Sequence, residues 1–517
     1  MIDSLDAIIV GGGHNGLVCA AYLARAGRKV LVLEAASQLG GAAVTGEIAP
    51  GFKVSRCAHL LHSLHPKIAA DLNLAQHGLA FSTQDMATVA LDREGHHLLV
   101  PGHDTTSLRG HSPADATAWP RFNAQLQRFA NILHAQLARI PPRLGTRNRA
   151  DLMNLGRLLW SIRRLGREDM REFLRIAGMN VAHLLADNFE CDLLRGAVAF
   201  DAVAGARLGP RSPNSVLTLL YRLAGEGGYR LSHPRGGMGA VTQALAKAAQ
   251  SAGSEIRVRS RVARIIVEND RATGVKLIDG EKLHARCVVS NADPRRTMLS
   301  LLGTEHLDTG FVRCIRDIPM IGVAAKLNLA LDALPSFANL DSVQLAGRLV
   351  IAPGIDYIER AFNHAKYGEY SELPAIEITI PSVHDASLVT DGRHVMSAVI
   401  QYAPYDLRTS WGNAREDFAD KVVNVIAAYA PDIKDRIVAR ELLTPVDIEH
   451  EFGMTGGHWH HGELGLDRFL MLRPVPGMAQ YATPLPGLYL CGAGAHPGGH
   501  VMGAAGMNAA KQVLAGG

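Results

Sequence analysis

Apolar residues fall along this chain in short runs whose period changes from place to place. Near the start, Asp6-Ala7-Ile8-Ile9-Val10 is nearly continuous in apolar residues, the pattern of a parallel strand buried on both faces. Glycines follow, and Leu17 to Ala26 then reads as an Ala- and Leu-rich helix closed by Gly27. Lys29 to Leu33 is a second buried strand, ended by Glu34. Much later, an Ala-rich helix over 240–252 follows Pro234-Arg235-Gly236-Gly237-Met238-Gly239. Short strands are predicted at Glu255–Arg259, Val262–Glu268, Gly274–Ile278 and Cys287–Ser290. Turns at Asn269-Asp270 and Asp279-Gly280 join them as an antiparallel meander that returns the chain to the first strands. At the far end, Gly487 to Cys491 reads as strand, and Ala504 to Leu514 as a helix of small residues.

The turn after the first strand is Gly11-Gly12-Gly13-His14-Asn15-Gly16, which fits G-x-G-x-x-G. Gly11 permits the tight turn, Gly13 lets backbone approach a pyrophosphate, and Gly16 lets helix and strand pack closely. The helix start offers free N–H groups and partial positive charge to phosphates. Glu34, 18 residues after Gly16, is placed to accept from a ribose diol. Strand, glycine turn, helix, strand and acid arrive in order, so a dinucleotide site is expected. A second glycine pair, Gly40-Gly41, follows Ala35 and leads into Ala42-Ala43-Val44-Thr45. A second close approach so soon after the ribose acid suits a longer cofactor and favours FAD over NAD. No further G-x-G-x-x-G flanked by strands occurs, so a separate NAD(P) domain is not expected. The late loop Gly492-Ala493-Gly494-Ala495-His496-Pro497-Gly498-Gly499-His500-Val501-Met502-Gly503 repeats the phosphate-loop logic ahead of the last helix.

Composition narrows the function further. The chain has 517 residues, enough for two to four lobes, and glycine supplies 52 of them, an excess these turns absorb. A net charge of +4 argues against a general nucleic-acid binder. The six cysteines form no C-x-x-C, which argues against both a zinc knot and a disulfide reductase. Scattered thiols suit a reducing compartment, and no basic, apolar leader opens the chain. A cytoplasmic protein is therefore expected, with a peripheral place at a membrane left open. From Pro474 to Ala510 there is no Asp, Glu, Lys or Arg, yet Gly and Pro rule out a spanning helix there.

The three glycine-rich segments together resemble the phytoene desaturase-like branch of the flavin amine oxidase superfamily. The likeness is strongest over 6–79, including Gly40 to Thr45 and Pro50-Gly51-Phe52-Lys53-Val54-Ser55-Arg56, and over 457–510, including His461-Gly462-Glu463. It implies non-covalent FAD in an α/β, doubly wound domain of the Rossmann-like, glutathione-reductase type, assembled from discontinuous segments, with an α+β substrate lobe above it. On that reading residues 1–79, 226–299 and 456–517 build the FAD domain, and 80–225 and 300–455 the substrate lobe. The resemblance further implies that Val262 meets the adenine through its backbone, and that Gly492, Ala493, Val501 and Met502 line the flavin. His59, Asn291 and His500 join this expected cofactor set. Two positions depart from the family pattern: Ala42 stands where amine oxidases and many desaturases carry Arg, and Ala493-Gly494-Ala495 replaces a Glu usual in amine oxidases.

The substrate lobe carries fewer signals. Residues 143–175 contain nine arginines and four acids. Leu152, Leu155, Leu159, Ile162 and Leu165 recur there at helical spacing, with Trp160 beside them and Arg157, Arg163 and Arg164 on other faces. Two readings stay open: a helix lying on an anionic membrane, or a helix packing its leucine stripe on the lobe or on another copy of the chain. His59, His62 and His65 stand at i, i+3 and i+6, and His458, His460 and His461 cluster later. No convincing carboxylate spacing accompanies them, and flavin chemistry needs no metal, so no metal site is expected. His59 and His62 are expected on a helix near the flavin, with His458 to His461 along the pocket approach. His461 and Glu463 are close enough in sequence for a proton relay. The function these features favour is an FAD-dependent oxidoreductase desaturating or isomerising a hydrophobic, polyene- or lipid-like substrate. The alternatives are an amine oxidase, which the low aromatic content of 5% disfavours as a source of a cage, and an interaction protein that holds FAD without turnover.

Overall fold

The computed structural model describes residues 5–102, 104–225, 231–390 and 392–516. Its first sheet gathers strands from distant parts of the chain. Leu5–Val10 lies parallel between Val30–Leu33 and Lys282–Ser290. Glu255–Arg257 adds a parallel edge beside Val30–Leu33. Lys282–Ser290 plays two parts. Its first half closes an antiparallel meander with Arg271–Leu277 and Val262–Glu268. Its second half, buried throughout, pairs parallel with Leu488–Leu490. The meander is thus three strands, not four: Glu255–Arg257 leaves it because its apolar contacts lie with Val30–Leu33.

The first helix is His14–Arg25, three residues longer at its start than its apolar pattern shows, with Gly13 as its N-cap. It packs on Gly239–Ser251 on one side and on the last helix, Ala504–Gly516, on the other. Closeness to the last helix depends on Gly506, where a Cβ would sit 2.1 Å from the Asn15 carbonyl oxygen.

A second sheet runs Ile437–Leu443, Ala324–Leu331, His394–Gln401, Ala375–Thr379, Arg348–Ile351, Thr88–Ala90, Leu98–Leu99. Every residue of Ala324–Leu331 is buried, including Lys326 and Asn328. One apolar core surrounds the first sheet, and another backs the second sheet against Trp411–Ala427. A third fills the helical region of Pro113–Leu137, Asp192–Val203 and Ser215–Leu223. The segment 57–65 is not helical: it runs irregularly between the sheets, and Leu61 forms a single bridge with Ser232. The periodic spacing of its histidines therefore has no helix beneath it.

Candidate functional site

Strand Leu5–Val10 delivers the chain to Gly11, whose φ of +100° makes the turn that a side chain would strain. The two glycine turns then meet. Gly13 bridges Gly40, and the Gly40 N–H donates to the Gly12 carbonyl at 2.9 Å. Gly41 approaches so closely that a Cβ on it would stand 3.5 Å from the Gly13 Cα. Glu34 holds the turn in place: its Oε2 accepts from Gly12 N–H at 2.7 Å and its Oε1 from Ala36 N–H at 2.8 Å. Asn291 closes the other side, donating from backbone N–H to the Val10 carbonyl at 2.8 Å and from Nδ2 to the Gly11 carbonyl at 3.3 Å.

These turns form the mouth of a cavity of 720 Å³ that continues to the second sheet. Gly11, Gly13, His14, Asn15, Glu34, Ala35, Gly40, Gly41, Ala42 and Ala43 line it, as do His59, Val262, Asn291, Ala493, His500 and Val501. Three expected cofactor residues do not. Gly16 is structural, because a Cβ there would lie 2.3 Å from the Gly11 carbonyl oxygen. Gly492 is equally constrained, 2.4 Å from the Asn291 carbonyl oxygen. Met502 points into the helical core, and its carbonyl accepts from His65 N–H. These three suggest ligand contacts in the sequence because they sit inside glycine loops; in the fold they hold those loops together.

The polar atoms left over along the walls show what the cavity suits. His14 Nε2, Asn15 Oδ1, both nitrogens of His62, Trp459 Nε1, His460 Nδ1 and His461 Nδ1 are buried without a protein partner, and all of these residues line the cavity. Buried polar groups ordinarily find partners, so these atoms suit a large polar ligand. Burial keeps the imidazoles neutral: His14 and His461 are pushed down to about 4, His62 and His460 to about 3. Burial also holds His59 and His500 well below the usual histidine range. A glycine cradle followed by neutral hydrogen-bonding walls fits a dinucleotide that carries an uncharged heteroaromatic ring.

Beyond this cradle the cavity reaches groups that no sequence motif marks. Arg222 and Glu377 line it, and behind them lies a buried ionic network. Arg348 pairs with Asp201 at 2.6 Å and with Glu377 at 2.5 Å, and Arg222 approaches Asp201 at 3.2 Å. His59 stands 3.7 Å from Glu377, and its Nδ1 meets Lys326 Nζ. Burial lowers Lys326 to about 7, so it gives up its proton far more readily than an exposed lysine. One signal was present in the sequence. A lysine and an asparagine interrupt the apolar run Val323-Ala324-Ala325-Lys326-Leu327-Asn328-Leu329-Ala330-Leu331. A charge in such a strand needs partners.

The expected relay is not formed. His461 lines the cavity, but Glu463 does not. Glu463 Oε2 instead accepts from Arg207 N–H at 3.0 Å and lies 3.2 Å from His458 Nε2. His461 at φ +51° and Gly462 at φ +119° turn the chain between them, so neighbours in sequence face apart. Among the described residues no group of three or more His, Cys, Asp or Glu side chains is arranged to hold a metal ion.

Comparison with known proteins adds an independent line. The family model for flavin containing amine oxidoreductase matches residues 16–514. The mouse pyridine nucleotide-disulfide oxidoreductase domain-containing protein 2 is 38% identical, over 98% of this chain and 93% of its own length. A limonene dehydrogenase component of Castellaniella defragrans is 27% identical over 99% and 95% of the two chains. Among solved structures, an oxidoreductase from Methanosarcina mazei superposes with a TM-score of 0.63 at 17% identity, covering 99% of each chain.

Proposed function

The chain belongs to the flavin-containing amine oxidoreductase family, and on that premise we propose that it acts on a hydrophobic, polyene- or lipid-like substrate, either desaturating it with transfer of two electrons to FAD or isomerising it without net oxidation. Its cofactor is FAD. FAD supplies a two-electron acceptor for hydrogen leaving a substrate carbon. The residues that would hold it are Gly11, Gly13, Gly40 and Gly41 at the pyrophosphate, Glu34 at the ribose, Val262 at the adenine, and Ala493, His500 and Val501 at the ring.

The observation that carries the reading is the state of the cavity's carboxylates. An amine substrate needs an unclaimed acid or an aromatic cage to hold its ammonium group. Every acid on these walls already has a partner. Glu34 binds two backbone amides, Glu377 is paired with Arg348, Glu451 with Arg56 at 2.6 Å, and Glu449 accepts from Gly456 N–H at 3.0 Å. Besides its histidines the cavity is lined by only two aromatic residues among those described, Phe452 and Trp459. The rest of the substrate wall includes Cys57, Ala58, Leu60, Ala204, Val399 and Met454. Such a wall suits apolar carbon, and the Castellaniella relative is named for limonene, a hydrocarbon. The neutral imidazoles donate and accept hydrogen bonds without adding charge, and Lys326 Nζ lies against His59 Nδ1 behind them.

Anaerobic reduction tests the proposal. The purified yellow protein is mixed without oxygen with polyenes, monoterpenes, acyl lipids and amines in turn, and absorbance of the oxidised cofactor is followed. Bleaching by an unsaturated or lipid substrate and not by amines is expected. Bleaching by amines alone would establish the amine oxidase reading; no bleaching by any class would exclude desaturation, and if reduced protein incubated with polyenes then also yields no new isomer on chromatography, FAD held without turnover is favoured.

A further inference from the structure

Helix Arg149–Arg163 has a burial pattern unlike that of the other long helices. Its only fully buried residue is an acid, Asp151. Its large apolar residues are outside: Leu152 is 52% exposed, Met153 52%, Leu159 58% and Trp160 62%. At 100° per residue, Leu152, Gly156, Leu159 and Trp160 fall on one side, with Met153 at its edge and the exposed Arg149 and Arg163 on the same side at the helix's two ends. A Cβ on Gly156 would meet nothing within 4 Å, so that side is open. The opposite side carries Asp151, Leu155, Leu158 and Ile162, all partly or fully buried, and Ile162 and Leu165 pack on the helical core. The leucine stripe read from the sequence is therefore split between inward and outward faces.

The helix is fixed in this orientation. Asn148 caps it, accepting from Ala150 N–H at 2.8 Å. Asp151 accepts from Gln480 Nε2 at 3.1 Å, and Arg143 Nε donates to Gln480 Oε1 at 2.6 Å. Rotating the apolar face inward would bury no extra leucine without exposing Ile162 and breaking these contacts.

Along 143–167 the exposed charge is all of one sign; of the acids that follow in the next helix, Asp169 pairs with Arg128 and Glu172 with Arg175. Arg147, Arg149, Arg157, Arg163, Arg164 and Arg167 are exposed and make no ion pair among the described residues. The only acid from 143 to 167 is the buried Asp151. Exposed leucine and tryptophan flanked by long basic side chains match an interfacial helix, in which arginines reach phosphate level while the apolar face enters the acyl boundary. A second copy is a poor occupant, since a symmetric contact would set unpaired arginines against their own kind. No described helix is long and apolar enough to cross a membrane, so the contact is in-plane.

We propose that helix Arg149–Arg163 seats the protein on an anionic lipid bilayer, with Leu152, Leu159 and Trp160 in the interface and the neighbouring arginines on lipid phosphates. The proposal rests on this surface alone and not on the substrate. It is tested by sedimenting the FAD-loaded protein with vesicles of phosphatidylcholine, alone or mixed with phosphatidylglycerol. Binding to the mixed vesicles only, weakened by added salt, is expected. Arg157→Gln, Arg163→Gln and Arg164→Gln combined should weaken it about a hundredfold. Leu159→Ser with Trp160→Ser should abolish it, with cofactor absorbance and far-ultraviolet dichroism unchanged. Tryptophan emission should shift to the blue on mixed vesicles, and the shift should disappear in Trp160→Phe. Failure to bind mixed vesicles would overturn the proposal, as would binding undiminished in either set of variants. A dimer in sedimentation velocity that Trp160→Ser dissolves would overturn it in favour of a second copy.

Discussion

The two ends of the cavity are built by opposite means. At the nucleotide end, backbone makes the contacts. Gly13 and Gly40 touch as bridge partners, and Gly16 and Gly492 leave no room for a Cβ. At the second-sheet end the backbone is regular helix and strand, and side chains from helix Ser215–Leu223 and strands Ala375–Thr379 and Ala324–Leu331 supply the polar groups. The first end depends on its glycines staying small, with Glu34 and Asn291 holding the turns they make. The second depends on each buried charge having its counter-charge. A buried ion-pair network is seldom the most stable filling for such a volume. The nucleotide end shapes space by omission, and the second-sheet end shapes it by charge.

Substitution at each end should therefore fail differently. Gly13→Val adds a side chain whose Cβ would begin 2.8 Å from Asn291 Nδ2 and extend into the phosphate path. The expected product is folded and colourless, read from its visible absorbance and its circular dichroism. A yellow variant would mean that the phosphates lie elsewhere. At the other end, Arg348→Leu leaves Asp201 and Glu377 buried with only the more distant Arg222. Removing one partner of such a network costs about 3–5 kcal/mol. Denaturant unfolding should show that loss, while the protein as purified still carries FAD. A cost below about 1 kcal/mol would contradict the pairing of Arg348 with both acids.

How much of each end was legible follows from the same contrast. Strand, turn, helix, strand and acid lie within the first 34 residues, and local periodicity exposes them. Gly40-Gly41 was legible for the same reason. Pairing across the chain was not. Nothing local tells Glu255–Arg257 to lie parallel beside Val30–Leu33, and its short apolar pattern suits a meander equally well. Lys326, Glu377, Asp201 and Arg222 come from four separate elements, and no spacing connects them. His59 and His62 have helical spacing without a helix, because segment 57–65 is held from outside by contacts such as the Leu61 bridge to Ser232. His461 and Glu463 are separated by two consecutive positive φ values that composition does not reveal.

Taken one at a time and per pH unit, the histidines shared by both ends give an effect of intermediate size. In an unfolded chain they take up protons near 6.5, but in the folded protein His14 and His461 wait until about 4, and His62 and His460 until about 3. Between those values the unfolded chain binds more protons, so stability falls as pH drops below 6.5. Each histidine adds about 1.4 kcal/mol per pH unit to the slope inside its window. Unfolding midpoints measured from pH 7 to pH 4 should show the decline. His62→Phe should flatten it by one proton's worth. A slope unchanged in that variant would mean that His62 is already charged in the folded state.

The smallest effect expected is at Glu34, and it tests whether the nucleotide end is as independent of charge as its glycines suggest. Both carboxylate oxygens are occupied by backbone amides, from Gly12 and from Ala36. In Glu34→Gln one of those amides faces an NH₂ group, and one hydrogen bond is lost at a net cost of about 1 kcal/mol. If Glu34 works mainly by holding the Gly12 turn, FAD titrated into apoprotein should bind about fivefold more weakly. The loss should also be the same for FAD and for an analogue lacking the adenosine ribose hydroxyls. If the carboxylate grips the ribose directly, the substitution should weaken FAD far more than that analogue. Unequal losses would show that at this one position the nucleotide end also relies on a side-chain charge.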